Sequence, residues 1–257
     1  MSDFEEIDAL VARMEALLVP LEARGDPRRY FHGTYLRTTR AVGAELAGGG
    51  FVDAPWVERW DVAFAQLYLD ALEADQRGDP PSGPWQVAFS AADQRGASLP
   101  PLRHVLLGMN AHINYDLPQA LLAVIDDREF QDPELLARRE ADHRHIDTVL
   151  AARVGAEDTQ LDQVSGRRTL VDRLLIPANR LGTKRFLKES RAKVWANARA
   201  LALARRQGPD AYSALLAELE RLAAVRVADL TEPGQVILKL AVSGFGVLLP
   251  GAQPARG

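Results

Sequence analysis

The sequence contains no cysteine. Disulfides and thiolate ligands are therefore excluded, and any metal would rest on nitrogen and oxygen donors alone. Long apolar runs are also missing. The longest, near Val236–Leu249, is broken by Lys239 and two glycines. It is too short to span a bilayer and predicts a buried terminal helix over Pro233–Val247. The N-terminus, MSDFEEIDAL, is acidic and has no apolar signal core, which predicts a cytoplasmic protein. There is no excess of positive charge. A formal net charge of −4 and a pI near 5.8 argue against a nucleic-acid surface held by bulk charge. No sustained period-2 pattern, Asn-Gly hairpin signal, internal repeat or long heptad run is present. What remains is an all-α chain.

With 47% hydrophobic residues, a chain of this length can bury a sizeable core. The pattern predicts one compact domain over residues 1–257 of about nine helices around a kinked central one, with 1–78 and 84–250 as its natural subdivision. Ser2 and Glu5 form a capping box, and Ile7, Val11, Met14 and Leu18 make the stripe that follows. Asp26-Pro27 and Asp53 with Pro55 open the next two helices, separated by the triple glycine 48–50. Trp56, Trp60, Phe64, Tyr68 and Leu72 give the third helix a strong apolar face. The loop DQRGDPPSGPW and the pair Pro100-Pro101 bracket a short helix carrying Trp85 and Phe89. Later helices are expected from Asp132 to about Val154, then over Arg167–Asn179, Thr183–Arg206, Pro209–Val227 and Pro233–Val247, with a surface loop near 155–163.

The site is expected in the stretch Leu102–Val124, LRHVLLGMNAHINYDLPQALLAV. It places Asn110, His112, Asn114 and Asp116 inside an apolar helical run, and each unpaired buried polar group costs about 1–3 kcal/mol. His112 and Asp116 are four apart and share a helical face, a spacing that lets two side chains grip one cation. Asn110 and Asn114 form a second such pair on a rotated face. Gly108 lies one turn before His112 and leaves room for a ligand or a crossing helix. Pro118 cannot donate to the Asn114 carbonyl, so a kink or a restart is expected there. A restart would make Asp116 an N-cap with Gln119 as its capping-box partner.

A second constellation, EADHRHID, lies on the helix beginning at Asp132. His143 and Asp147 repeat the fourth-residue spacing, and His143 falls on or beside the buried face, whereas His145 points to solvent. Glu140 and His143 match half of a di-iron motif, but no second Glu-x-x-His exists in the chain. His32, flanked by Phe31 and Tyr35, is a packing histidine or a catalytic one, with Tyr35 beside it as a substrate-binding candidate. His104 reads as a first-turn surface or capping residue.

The phrase GMNAHINYDLP, with WDVAFAQLYLDAL before it and RAKVWANARAL after it, resembles a bacterial family known only as a domain of unknown function. That likeness puts Asn110, His112, Asn114 and Asp116 at the centre of whatever the family does. HINYDLPQAL is also similar to a helix of the zinc-dependent phospholipase C and single-strand nuclease family, which reads His-x-x-x-Asp-x-x-Gln-Pro-Leu-His. Here His112, Asp116, Gln119 and Leu121 match, while Ala120 and Leu122 stand in place of its proline and third histidine. This likeness implies at most one divalent ion, zinc or similar, held by His112 and Asp116 with His143 and Asp147 as further ligands. Three functions follow as expectations. The foremost is a metal-dependent hydrolase of a phosphoester or lipid-like substrate, with His112, Asp116, Asn110 and His32 catalytic and Asn114 and Tyr35 binding. The others are a metal-free enzyme of lipid or specialised metabolism using His112 as acid and base, and a helical module that binds an apolar ligand.

Overall fold

Two helix starts carry local side-chain support. Asp53 accepts the Trp56 amide at 3.1 Å, and Asp26 accepts the Arg28 amide at 2.9 Å. In the computed structural model, which describes residues 4–96, 98–146, 148–149, 170–232, 244 and 246–254 (170–188 as backbone alone), no strand occurs among the described residues. The helices are α1 (Glu5–Ala23), α2 (Arg28–Ala47), α3 (Ala54–Arg77), α4 (Gly83–Arg95), α5 (Pro101–Ala111) and α6 (Leu117–Val124). After them come α7 (133–146), α8 (Leu170–Gln207) and α9 (Pro209–Thr231). A short 3-10 turn, Glu129–Gln131, precedes α7. The all-α expectation holds, and the buried residues from Ile7 to Leu249 form one continuous core.

The central helix is where proline chemistry shapes the fold. Pro118 has no N–H, so the bond to the Asn114 carbonyl cannot form. The helix neither breaks nor restarts. It widens into a π-turn, His112–Asp116, in which the Leu117 amide reaches back five residues to the His112 carbonyl, and then continues as α6. The capping-box reading of Asp116 is therefore corrected: Asp116 is helical and caps nothing, and Gln119 bonds the Tyr115 carbonyl at 2.9 Å. The unit α5–π-turn–α6 is surrounded by α2, α3, α4, α8 and α9, which makes its polar residues interior ones.

Two boundaries differ from expectation. The break predicted between Asn179 and Thr183 is absent, and α8 runs unbroken through Gly182. A lone glycine costs a helix only about 1 kcal/mol, which a long helix absorbs. The predicted terminal helix does not reach Val247, because Gly244 and residues 246–249 lie outside any helix. Gly244 has φ +70°, and a side chain there would strike Glu189. The expected helical part 233–243, the Ser2 cap and the loop near 155–163 fall outside the described residues.

Gly108 supplies a test of the central packing. A Cβ at this position would run into the Phe31 ring, which is fixed among Tyr35, Tyr68, Trp85 and His112. Gly→Ala within a helix ordinarily stabilises by about 1 kcal/mol. Here overpacking should win, and Gly108→Ala should destabilise by about 1–3 kcal/mol in urea unfolding; a stabilised variant would contradict the packing.

Candidate functional site

His112 is 3% exposed and Asp116 2%. His112 Nδ1 lies 2.8 Å from Asp116 Oδ2, and the Trp85 indole N–H donates to the same oxygen at 2.8 Å. With the proton on Nδ1, Asp116 Oδ2 accepts from both the imidazole and the indole, and Nε2 is left with a free lone pair. Nε2 is buried and has no hydrogen-bond partner among the described residues. Burial lowers the His112 pKa, against the opposing pull of Asp116, and burial raises that of Asp116, against the two N–H donors.

Rings enclose the imidazole. Phe64 stacks on it at 3.6 Å between centroids and 4° between planes, and Tyr35 meets it edge-on at 4.6 Å. Phe31, Tyr68 and Trp85 complete the enclosure at about 6 Å. Phe64 in turn continues a stacked column along α3 through Trp60 and Trp56. A small cleft of ≈ 20 Å³, room for about one water, reaches the outer sides of Phe31, Tyr68 and Trp85.

The other expected residues are placed elsewhere. Asn110 donates to the Leu106 carbonyl at 2.8 Å and accepts from Asn114 at 3.3 Å. Asn114 Oδ1 accepts the Val247 amide at 3.1 Å, so the Asn pair faces the C-terminal segment rather than the imidazole. His32 is fully satisfied, donating to the Met14 carbonyl at 2.8 Å and accepting from the Tyr68 hydroxyl at 2.9 Å. That is the packing role. His143 is buried too, but its Nδ1 accepts the Trp195 indole N–H at 2.6 Å and its ring meets Trp60. Burial first, then the Arg191 charge, pushes its pKa down to about 3. Asp147 lies outside the described residues. Among the described residues, no three His, Asp or Glu side chains gather as a metal-sized cluster.

Two histidines correct the sequence reading. His104 is buried rather than superficial, stacked on Tyr30 with centroids 5.9 Å apart. His145 is not simply solvated; it pairs with Glu45 at 2.7 Å and takes the edge of Phe51.

The sequence reading also missed Asp61, which is 4% exposed with Oδ2 buried and unpartnered. Its signal was present: a lone carboxylate seven residues before Tyr68 and three before Phe64, on the apolar face of α3. Trp85 and Asn197 carried no comparable signal, because a tryptophan or an asparagine on a helix does not announce its partner.

Residues 7–233 match a family of unknown function, DUF5995. The chain belongs to the DUF5995 family. No curated protein and no solved structure matches it. The DUF5995 match takes in His112, Asp116, Trp85, Tyr35 and Asp61, whereas the segment held by Asn114 lies beyond it.

Burial alone raises the Asp61 pKa from 3.8 to about 7. A folded pKa above the unfolded one means the folded state binds more protons between those values. Stability is therefore present below about pH 4 and is lost as pH rises through about 7, by on the order of 4 kcal/mol. In urea titrations across that range, Asp61→Asn should flatten the decline. An equal decline in both proteins would contradict this environment for Asp61.

Proposed function

We propose that the protein is a cytoplasmic bacterial enzyme of lipid or specialised metabolism that moves a proton on a small apolar or lipid-like substrate, with His112 as acid and base. One observation carries this reading: Asp116 holds Nδ1 while Nε2 stands bare inside a wall of rings. An imidazole fixed in one tautomer by a carboxylate presents its second nitrogen as a ready proton acceptor. Rings around it exclude water and favour an apolar substrate body. Trp85 keeps Asp116 in its acceptor role and so keeps the proton on Nδ1.

A single divalent ion on Nε2 is the second reading. It is favoured by the carboxylate–imidazole pair, since metal-bound histidines are commonly oriented in this way. In that arrangement Asp116 orients the ligand, and hydrolysis of a phosphoester would run through an activated water. The rings packed around the imidazole, and the commitment of His143 to Trp195, favour the metal-free reading.

His112→Asn retains a donor near the Nδ1 position and removes Nε2. Wild type and variant are incubated with a mixed lipid and polar-metabolite extract and followed by mass spectrometry and proton NMR. Wild type should convert at least one apolar component, and the variant should be slower by about 10²–10⁴-fold. Equal conversion by the variant would refute the assignment. A stoichiometric metal in chelator-free protein that is lost in the variant would establish the second reading.

A further inference from the structure

Away from His112, the opposite face of the central helix is used to read backbone. Residues 246–249 lie outside any helix, held from the π-turn on one side and α8 on the other. Three side chains take four of their backbone groups. Asn114 Oδ1 accepts the Val247 amide at 3.1 Å, Asn197 Nδ2 donates to the Val247 carbonyl at 3.1 Å, and Asn197 Oδ1 accepts the Leu249 amide at 2.9 Å. Lys193 Nζ donates to the Gly246 carbonyl at 3.0 Å. A residue of a parallel β-strand bonds its neighbour in the same way, to the carbonyl of one residue and the amide two residues on. The Asn197 amide takes the place of that residue.

Recognition of this kind draws affinity from main-chain bonds and selectivity from alternate side chains. Val247 and Leu249 are buried, while Leu248 between them is partly exposed. Glycine is also selected. Gly244 has φ +70° and a side chain there would strike Glu189, while a Cβ at Gly246 would come within 2.7 Å of the Lys193 stem. The pattern read is therefore Gly-x-Gly-apolar-x-apolar. Two of the reading groups are also held in place from the protein side. Asn114 Nδ2 donates to Asn110 Oδ1 at 3.3 Å, which leaves Asn114 Oδ1 for the segment, and Lys193 is paired with Glu189 at 2.8 Å. Groups already fixed in their binding geometry lose little freedom when a ligand arrives.

Reader and ligand are separable. None of the four bonds uses a side chain of the segment, so any chain of that pattern offers the same groups. The DUF5995 match takes in Asn114, Lys193 and Asn197 and ends at residue 233, before the segment they hold. We propose that α8 and the π-turn form a docking groove for an extended Gly-x-Gly-apolar-x-apolar segment of a partner protein, and that residues 246–249 fill the groove in cis until the partner displaces them. A second copy of this chain is the poorer occupant. Exchange between copies replaces each contact with its equal, and the segment on the same chain has the advantage of effective concentration. A partner gains by contacts beyond the six positions read. This proposal is independent of the chemistry at His112.

The probe is a fluorescein-labelled peptide GFGVLLPGAQ, residues 244–253, followed by anisotropy. The host is the full chain carrying Val247→Asp and Leu249→Asp, which drives its own segment out of the groove and leaves Asn114, Lys193 and Asn197 intact. This variant should bind the peptide, and wild type should bind it at least tenfold more weakly because its own segment competes. Adding Asn197→Ala to the variant removes two hydrogen bonds and should weaken binding tenfold or more. Circular dichroism reports whether each variant is folded. No binding by the folded variant, or binding indifferent to Asn197→Ala, overturns the groove. Amide hydrogen exchange by NMR on wild type tests the same groove without any substitution. The Val247 and Leu249 amides should exchange through local opening, at least tenfold faster than the core amide of Leu121. Exchange as slow as that of Leu121 means that the segment leaves only on global unfolding, and overturns the proposal. Sedimentation velocity supplies the last outcome: a wild-type dimer that grows with concentration and is abolished by the Val247→Asp, Leu249→Asp pair makes a second copy the occupant, and overturns the assignment to a partner protein.

Discussion

A helix that carries four polar side chains into an apolar interior must satisfy them, and this one constraint organises the molecule. Asn110, His112, Asn114 and Asp116 are all under 4% exposed. Residues two apart on a helix point some 200° away from each other at about 100° per residue, so the two pairs face opposite sides. Partners must therefore arrive from both sides. Trp85 of α4 and the rings of α2 and α3 answer on the His112 face. On the other face the chain answers with its own terminal backbone. The Val247 amide reaches Asn114, the Val247 carbonyl accepts from Asn197, and the Leu249 amide returns to Asn197 at 2.9 Å. Lys193 holds the Gly246 carbonyl at 3.0 Å. A helix of ordinary width would still carry these groups; the π-turn that Pro118 induces adds a residue to the turn at the point where both pairs sit.

The clamp on residues 246–249 explains why that apolar stretch is not helical. Val247 and Leu249 bury their side chains, yet their backbone groups are spoken for by asparagine amides rather than by an i→i−4 ladder. Composition promised burial there, and burial is what occurs. Periodicity could not reveal that a distant Asn would replace the helical partner. The same limit applies to α8, where a weak breaker at Gly182 is overridden by continuation on either side.

The sequence made the central helix legible for a physical reason: polar residues in an apolar run are costly, so their presence marks a demand. The fourth-residue spacing gave the His112–Asp116 contact directly, at 2.8 Å. Spacing alone did not say whether the pair would grip a cation or each other, because both outcomes use the same geometry at Cβ. For His143 it was the partner across the fold, Trp195, that decided, and a contact between residues 52 apart in sequence leaves no local trace. Asp61 was legible by the rule that exposed the central helix, but the three aromatic rings around it in α3 read as core and hid it.

The protonation of the cluster follows from how unequally its two carboxyls are served. Asp116 receives two N–H donors on one oxygen, and these oppose the cost of burying its charge. Asp61 is buried as deeply with no donor on Oδ2, and nothing opposes the cost. Asp61 therefore holds its proton up to about pH 7, whereas the two N–H donors favour the charged form of Asp116. Two carboxyls buried to the same depth are thus driven toward different protonation states, and the donors each one receives, not the depth of burial, decide which keeps its charge.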